Sequence, residues 1–201
     1  AASTVTWQYL FTRGLVIFIL LNFFLYLEEG KNFYKNYLKI GLSGAIGSVG
    51  LAIAMISFIW SITNTTAAIT LLCLAAMPFI TALLGFLFLN EKISLGVWIS
   101  IIIAAIGIII MAINNDNTNS IGGLIFGLAA ALGFSIFSVS LRWRKETPKF
   151  TTVSTAGLLC CLISALVIIN QDLSFLSTSK NQSLFATPVS YTHLTLPTIL
   201  P

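Results

Sequence analysis

Apolar runs of about 20 residues recur along this chain, and they limit its fold more than any other feature, because a helix of that length crosses a ~30 Å hydrocarbon layer. The composition agrees, since 57% of the 201 residues are hydrophobic and only 8% are charged. Such a chain has too few polar side chains to cover a water-soluble domain. A transmembrane barrel is excluded because residues 101–111 and 158–169 do not alternate between apolar and polar. The sequence therefore predicts an all-α polytopic membrane protein.

Window hydropathy predicts about six transmembrane helices, separated by short polar connections. They cover residues 5–27, 40–62, 67–89, 94–113, 121–141 and 151–169. Neighbouring helices are expected to be antiparallel, because the connections are too short for a longer return.

Basic residues occur only in alternate connections between these helices, while "TNTT" and "NNDNTNS" hold none. The basic group comprises Lys31, Lys35, Lys39, Lys92, Arg142, Arg144, Lys145 and Lys149. By the positive-inside rule, the loops of Lys31, Lys92 and Arg144 are predicted to be cytoplasmic. The net charge of +4 is scattered among membrane spans and makes no basic face, so no nucleic acid partner is expected.

Small residues are spaced regularly in two of the predicted spans and favour close helix packing in lipid. They are Gly41, Gly44, Gly47 and Gly50 in the second span, and Gly122, Gly123, Gly127, Ala130 and Gly133 in the fifth.

Three polar features lie within or beside the apolar runs. Burying the charge of Arg13 in the first apolar run costs free energy unless the side chain reaches the lipid headgroups or faces a polar cavity. In a cavity, its guanidinium donors would suit an anionic or carboxylate-bearing solute. Pro78 removes a backbone donor and bends the third run, either for packing alone or beside a water-filled cavity. Glu91 and Lys92 follow that run, in a pattern more typical of a capped hairpin than of a proton site.

The block from Thr66 to Ala112 resembles the EamA repeat of the drug/metabolite transporter superfamily. The resemblance rests on the order of Pro78, the "ALLGFLFLNEKIS" run ending in Glu91, Trp98 and Gly107, although Ser100 replaces a usual glycine. Upstream, "WQYLFTRGL" is similar to the second helix of that family with its arginine, here Arg13. Downstream, "GGLIFGLAAALGFSIFSVSLRWR" is similar to the first helix of a second repeat.

The resemblance implies a ten-helix transporter of two inverted five-helix repeats, of which this chain holds helices two to seven. Residues 1–113 would then be helices two to five of the first repeat, and 114–169 the first two helices of a truncated second repeat. It also implies a bacterial inner-membrane carrier of small metabolites, amino-acid-like solutes or drugs, working by alternating access. By the same mapping, Arg13, Trp60 and Pro78 are candidates for the substrate cavity or a hinge, whereas Glu91 belongs to the hairpin end.

Two other function classes compete with a carrier. A membrane enzyme would need a convergent acid/base, nucleophile or metal set, but the acids lie at loops or span ends and no metal-ligand spacing occurs, so neither catalysis nor a metal or cofactor is expected. A non-transporting membrane scaffold could use the same small-residue packing. Cys73, Cys160 and Cys161 lie in apolar runs and are interpreted as small hydrophobes. The expected partners are a small-molecule substrate and the lipid bilayer, with a homodimer left open.

The end of the chain is excluded from these predictions. Residues 170–187 form a polar tail, and residues 188–201 are interpreted as an artefact, because 189–198 match one reading frame of a common sequencing-library adapter. This removes His193, the only histidine, as a proton carrier or metal ligand.

Overall fold

The computed structural model describes residues 2–30, 34–92, 94–113, 121–144 and 147–171, and these residues form eight helices. The helices are α1 (Ala2–Glu29), α2 (Tyr34–Lys39), α3 (Gly41–Asn64), α4 (Ala67–Ala75), α5 (Met77–Leu89), α6 (Leu95–Ile113), α7 (Ile121–Trp143) and α8 (Lys149–Asn170). The tail from residue 172, with the predicted adapter segment and His193, lies outside the described residues.

The prediction of an all-α polytopic membrane protein is confirmed. Five segments of the described chain are long and apolar enough to cross a membrane, with α4 and α5 together making one of them, and α6 adds a shorter apolar stretch, Leu95–Gly107. Each predicted span coincides to within three residues at either end with one helix or, for the third span, with α4 and α5 together. The short helix α2 was not predicted, because its residues are polar and lie in the connection after the first span.

The contact between α3 and α7 is the most extensive in the bundle, and glycines make it close. A Cβ atom added to Gly133 would lie 2.5 Å from the carbonyl oxygen of Gly50, and one added to Gly50 would lie 3.0 Å from that of Gly133. Gly47 faces Ser140 in the same way, and Gly127 faces Cys73 of α4. Gly122, by contrast, is exposed. Of the predicted small faces, Gly47, Gly50 and Gly133 therefore meet across this crossing, whereas Gly41 is exposed and Gly44 faces Thr147 and Thr152.

The second close pair is α1 with α8, and this pair also packs on α3. Gly14 lies against the backbone of α8, where an added Cβ would be 2.7 Å from the carbonyl oxygen of Gly157. The apolar core between the three helices consists of Leu10, Leu51, Met55, Ile59, Ala156 and Cys160. Because α3 touches both partners, it is the central helix and buries twelve of its residues.

The third predicted span is broken into α4 and α5, which both lie against α7, and α6 packs on α5. Burial decreases along this part of the chain. Helix α4 buries Thr70 and Cys73, whereas α5 buries only Gly85. The outer faces of α5 and α6 are apolar and exposed, as expected for a surface in contact with lipid.

The basic residues that the sequence places on one side do lie at one end of the bundle. Phe24 of α1 contacts Phe150 of α8 there, and Arg144 after α7 lies beside Gly41, the first residue of α3. We call this the basic end; it carries Lys35, Lys39, Lys92, Arg142, Arg144 and Lys149, while Lys31 and Lys145 lie outside the described residues. We call the other end, where Thr65 meets Gly123 of α7, the opposite end.

Candidate functional site

The break between α4 and α5 lies within a membrane-spanning segment and is stabilised from α7. Helix α4 ends at Ala75, and Pro78 is in the first turn of α5, where the missing N–H of proline costs least. The single hydroxyl proton of the fully buried Ser135 in α7 is shared between two carbonyl oxygens, that of Met77 at 3.0 Å and that of Ala131 at 2.8 Å from the hydroxyl oxygen. The break predicted from Pro78 is therefore present, beginning two residues earlier, and a side chain of α7 supplies a donor to its backbone.

This donor gives a first prediction. Replacing Ser135 with alanine should lower the free energy of unfolding by about 1 kcal/mol, the usual net value of one intramolecular hydrogen bond. Thermal unfolding of the purified protein in lipid nanodiscs measures the change. Ser100→Ala is the matched control, because in the described part of the chain the Ser100 hydroxyl bonds only within α6, to the carbonyl oxygen of Gly96, and is less buried than Ser135. Equal effects of the two substitutions would contradict a special role for Ser135.

Trp60 lies near the opposite end, in an aromatic cluster that joins three helices. Its ring centroid is 5.7 Å from that of Trp7 in α1 and 6.0 Å from that of Phe126 in α7. Edge and offset contacts of this kind stabilise aromatic pairs beyond their buried area. The cluster therefore ties α1, α3 and α7 together at that end.

Arg13 lies in α1, one residue before the close contact of Gly14 with α8. Its side chain is half-buried, and its Nε atom is buried without an acceptor among the described residues. A buried donor without a partner costs free energy and calls for an explanation. The nearby Cys160 thiol is already engaged, because it points to the carbonyl oxygen of Leu10 at 3.8 Å.

The other residues of the resemblance follow the third span, Glu91 directly after α5 and Trp98 and Gly107 within α6. Glu91 forms an ion pair with Arg142 of α7, at 2.6 Å between Oε2 and Nη2. Trp98 is exposed in α6 and contacts Phe86 of α5 at 6.1 Å between ring centroids. Gly107 faces open space, since an added Cβ would have no neighbour within 4 Å among the described residues.

The structure does not gather Arg13, Trp60 and Pro78 into one pocket. They lie on α1, α3 and α5, each in a different packing environment. Two open cavities on the described surface, of about 480 and 340 Å³, are lined by residues near the end of α8 and by an apolar patch of α3 with Ile136, and by none of the three candidates. Their assignment to a substrate cavity stays a prediction.

Sequence reasoning missed two polar connections at the basic end. One is Arg142, the partner of Glu91, which could have been suspected because the predicted topology puts both charges on the same side. The other is a network in which the amide nitrogen of Asn22 donates to the Ser154 hydroxyl at 2.8 Å, and the Tyr37 hydroxyl donates to the Asn22 oxygen at 2.8 Å. This network joins α2 to α1 and α8, and no local sequence pattern predicts it.

Comparison with known protein families identifies the first six helices. A family model for the EamA-like transporter family matches residues 2–113, more than half of the chain. The chain belongs to the EamA-like transporter family. Searches of curated proteins and of solved structures found no match.

Membership of the EamA-like family makes this chain an integral membrane protein of a transporter family, as the sequence predicted. The match covers α1 to α6 and contains Arg13, Trp60, Pro78, Glu91, Trp98 and Gly107. Helices α7 and α8 lie beyond it, so their assignment to a second EamA repeat stays a prediction.

Proposed function

We propose that this EamA-family chain forms part of a secondary transporter that moves small metabolites, amino-acid-like solutes or drugs across the membrane by alternating access. The family match over residues 2–113 carries the proposal. The broken third span supports it, because interrupted helices at membrane depth are typical of carrier pathways.

The proposed roles follow from where the residues lie. Arg13 would bind the negative charge of a solute, since a guanidinium offers a permanent charge and several donors, and its buried Nε has no acceptor in the described chain. The break at Ala76 would let α5 change its angle to α4. The aromatic cluster of Trp60, Trp7 and Phe126 would bound the pathway at the opposite end.

We further propose that the protein lies in a bacterial inner membrane with the basic end in the cytoplasm. The positive-inside rule supports this orientation, because the described basic loops gather at one end of the bundle. No catalytic role is proposed: within the described residues, no three His, Cys, Asp or Glu side chains cluster as a metal site would require.

The test is solute transport by inside-out membrane vesicles from cells that produce the protein and, in parallel, from cells that produce an intact ten-helix homologue. A panel of labelled amino acids, carboxylates and cationic drugs is offered, and we expect accumulation of at least one class above vesicles from control cells. No change in accumulation of any compound in either vesicle type would contradict transport and favour a membrane scaffold.

A further inference from the structure

The Glu91–Arg142 pair connects α5 and α7, two helices that lie against each other, at the basic end. It joins the residue two positions after α5 to the last turn of α7, 51 residues later. Among the described residues it is the one ion pair. It lies at the basic end, where the connection from α5 to α6 leaves the bundle.

The end of α5 holds Glu91 in place for this contact. Asn90 adopts a left-handed conformation with φ 53° and turns the chain back, so that the Glu91 N–H donates to the carbonyl oxygen of Gly85 at 3.3 Å. A Cβ on Gly85 would lie 2.8 Å from the Glu91 Oε2 atom. Because only a glycine leaves this space free, the carboxylate folds back over the last turn of α5 and faces Arg142.

The other half of the same span is fixed in a different way. At the opposite end, the Ser61 hydroxyl of α3 lies 2.9 Å from the Thr70 hydroxyl of α4 and donates to the carbonyl oxygen of Gly123 in α7 at 2.8 Å. All three residues are buried. Helix α4 is therefore joined to α3 by a polar contact shielded from water, and α3 is joined in turn to α7.

Helix α5 also packs on α7, but among the described residues its one polar side chain, Thr81, bonds its own helix at the carbonyl oxygen of Met77. Gly85 is its one buried residue, and its outward side chains Phe86, Leu87 and Phe88 are exposed. It is attached at the break near Ala76, where Ser135 bonds Met77, and at its far end by the Glu91–Arg142 pair. A helix whose polar attachments are one hydrogen bond near the break and one exposed ion pair at its end can tilt away at that end if the pair opens, at the expense of its half-buried contacts with α7.

The free energy of the ion pair suits a switch better than a contact that stabilises the fold. The side chains of Arg142 and Glu91 are 48% and 37% exposed. Exposed ion pairs of this kind contribute about 0.2–1 kcal/mol, which is too little to hold the fold together. The same free energy shifts a two-state equilibrium about 1.4- to five-fold, which is enough to bias a gate.

We propose that the Glu91–Arg142 pair is a latch that keeps the basic end of α5 closed against α7, and that its opening lets α5 swing about the break at Ala76. The proposal rests on the proposed transport function for the purpose of the motion, which would open the pathway on that side. The latch predicts the distance between the basic ends of α5 and α7, and this distance can be measured without a substrate.

The test measures the distance between the basic ends of α5 and α7 by double electron–electron resonance in lipid nanodiscs. Spin labels are placed at Phe88→Cys and Trp143→Cys, two exposed positions, after Cys73, Cys160 and Cys161 are replaced with alanine. We expect one main distance in the parent protein. Glu91→Gln or Arg142→Gln should each raise the ratio of a longer-distance population to the short one about 1.4- to five-fold, as should 1 M NaCl acting on the parent protein.

Two controls separate the latch from a general effect of charge. Lys92→Gln removes a charge beside the pair and should leave the distance distribution unchanged. The exchange Glu91→Arg with Arg142→Glu restores opposite charges and should recover most of the short-distance population. Unchanged distances in both single variants, or an exchange that fails to restore the short distance, would overturn the latch.

The transport assay separates this inference from the proposed function. Distances that respond as expected in a protein that moves no solute would support the latch and contradict the carrier. Solute transport together with distances that do not change when the pair is removed would support the carrier and contradict the latch.

Discussion

Replacing Gly133 with valine is expected to force α3 and α7 apart and to lower the free energy of unfolding by about 3 kcal/mol, the upper part of the range for an overpacked core. The cost is high because the first added carbon would lie 2.5 Å from the carbonyl oxygen of Gly50 and 2.9 Å from the backbone nitrogen of Ala54. Backbone atoms of a helix cannot rotate away as a side chain can. The two helices would have to separate along their most extensive contact.

Thermal unfolding in nanodiscs measures this effect, and the chain offers a matched control. Gly107→Val introduces the same side chain at a helical glycine where nothing lies within 4 Å of the added Cβ. It should change stability by less than about 1 kcal/mol, the scale of helix propensities. If the two variants lost equal stability, the cause would be the presence of valine in a helix and not the crossing of α3 with α7.

Most of the helices could be predicted from hydropathy alone, because each span must satisfy its backbone within one apolar segment. Which helices pack against each other was harder to predict from the sequence. The spacing of Gly44, Gly47 and Gly50 showed that α3 has a small face, but the same pattern would suit any neighbouring helix. That this face meets Gly133 and Ser140 of α7 follows from the fold of the whole chain.

The broken span shows where local reasoning stops. Pro78 predicts a bend, because its ring removes a donor and clashes with the preceding turn. The sequence does not say that a side chain of α7 bonds the backbone beside the break, and Ser135 lies 58 residues after Met77. The short helix α2 was not predicted because it has no apolar pattern of its own. Its position is set by the hydrogen bonds of Tyr37 with Asn22 and Ser154.

The candidate site illustrates the same limit for function. The sequence marks Glu91 by its place after the third span, and its capping and topological roles explain why a charge is tolerated there. Its contact with Arg142 depends on α5 and α7 running in the same direction side by side, which the contacts from Cys73 with Gly127 to Glu91 with Arg142 establish. The family motif thus marks a contact between two helices that a local pattern does not reveal.

Arg13→Gln is expected to reduce solute transport about ten-fold or more while leaving the stability of the protein unchanged or slightly higher. The loss follows from removing a charged donor to the solute, since hydrogen bonds to charged groups contribute about 1.5–3 kcal/mol. The stability should not fall, because the buried Nε atom has no acceptor among the described residues, so the folded chain gains nothing from it there. Initial transport rates in vesicles and thermal unfolding of the same preparations measure the two effects.

The opposite signs of these two effects separate a binding role from an anchoring role. Arg13→Lys keeps the positive charge but loses the paired N–H donors of the guanidinium. It should retain part of the transport that Arg13→Gln loses. Thr12→Val is the matched control, because the Thr12 hydroxyl bonds its own helix at the carbonyl oxygen of Gln8 and its removal should leave transport intact. An Arg13→Gln variant that transports normally but unfolds more easily would show instead that the guanidinium reaches the headgroups and anchors α1.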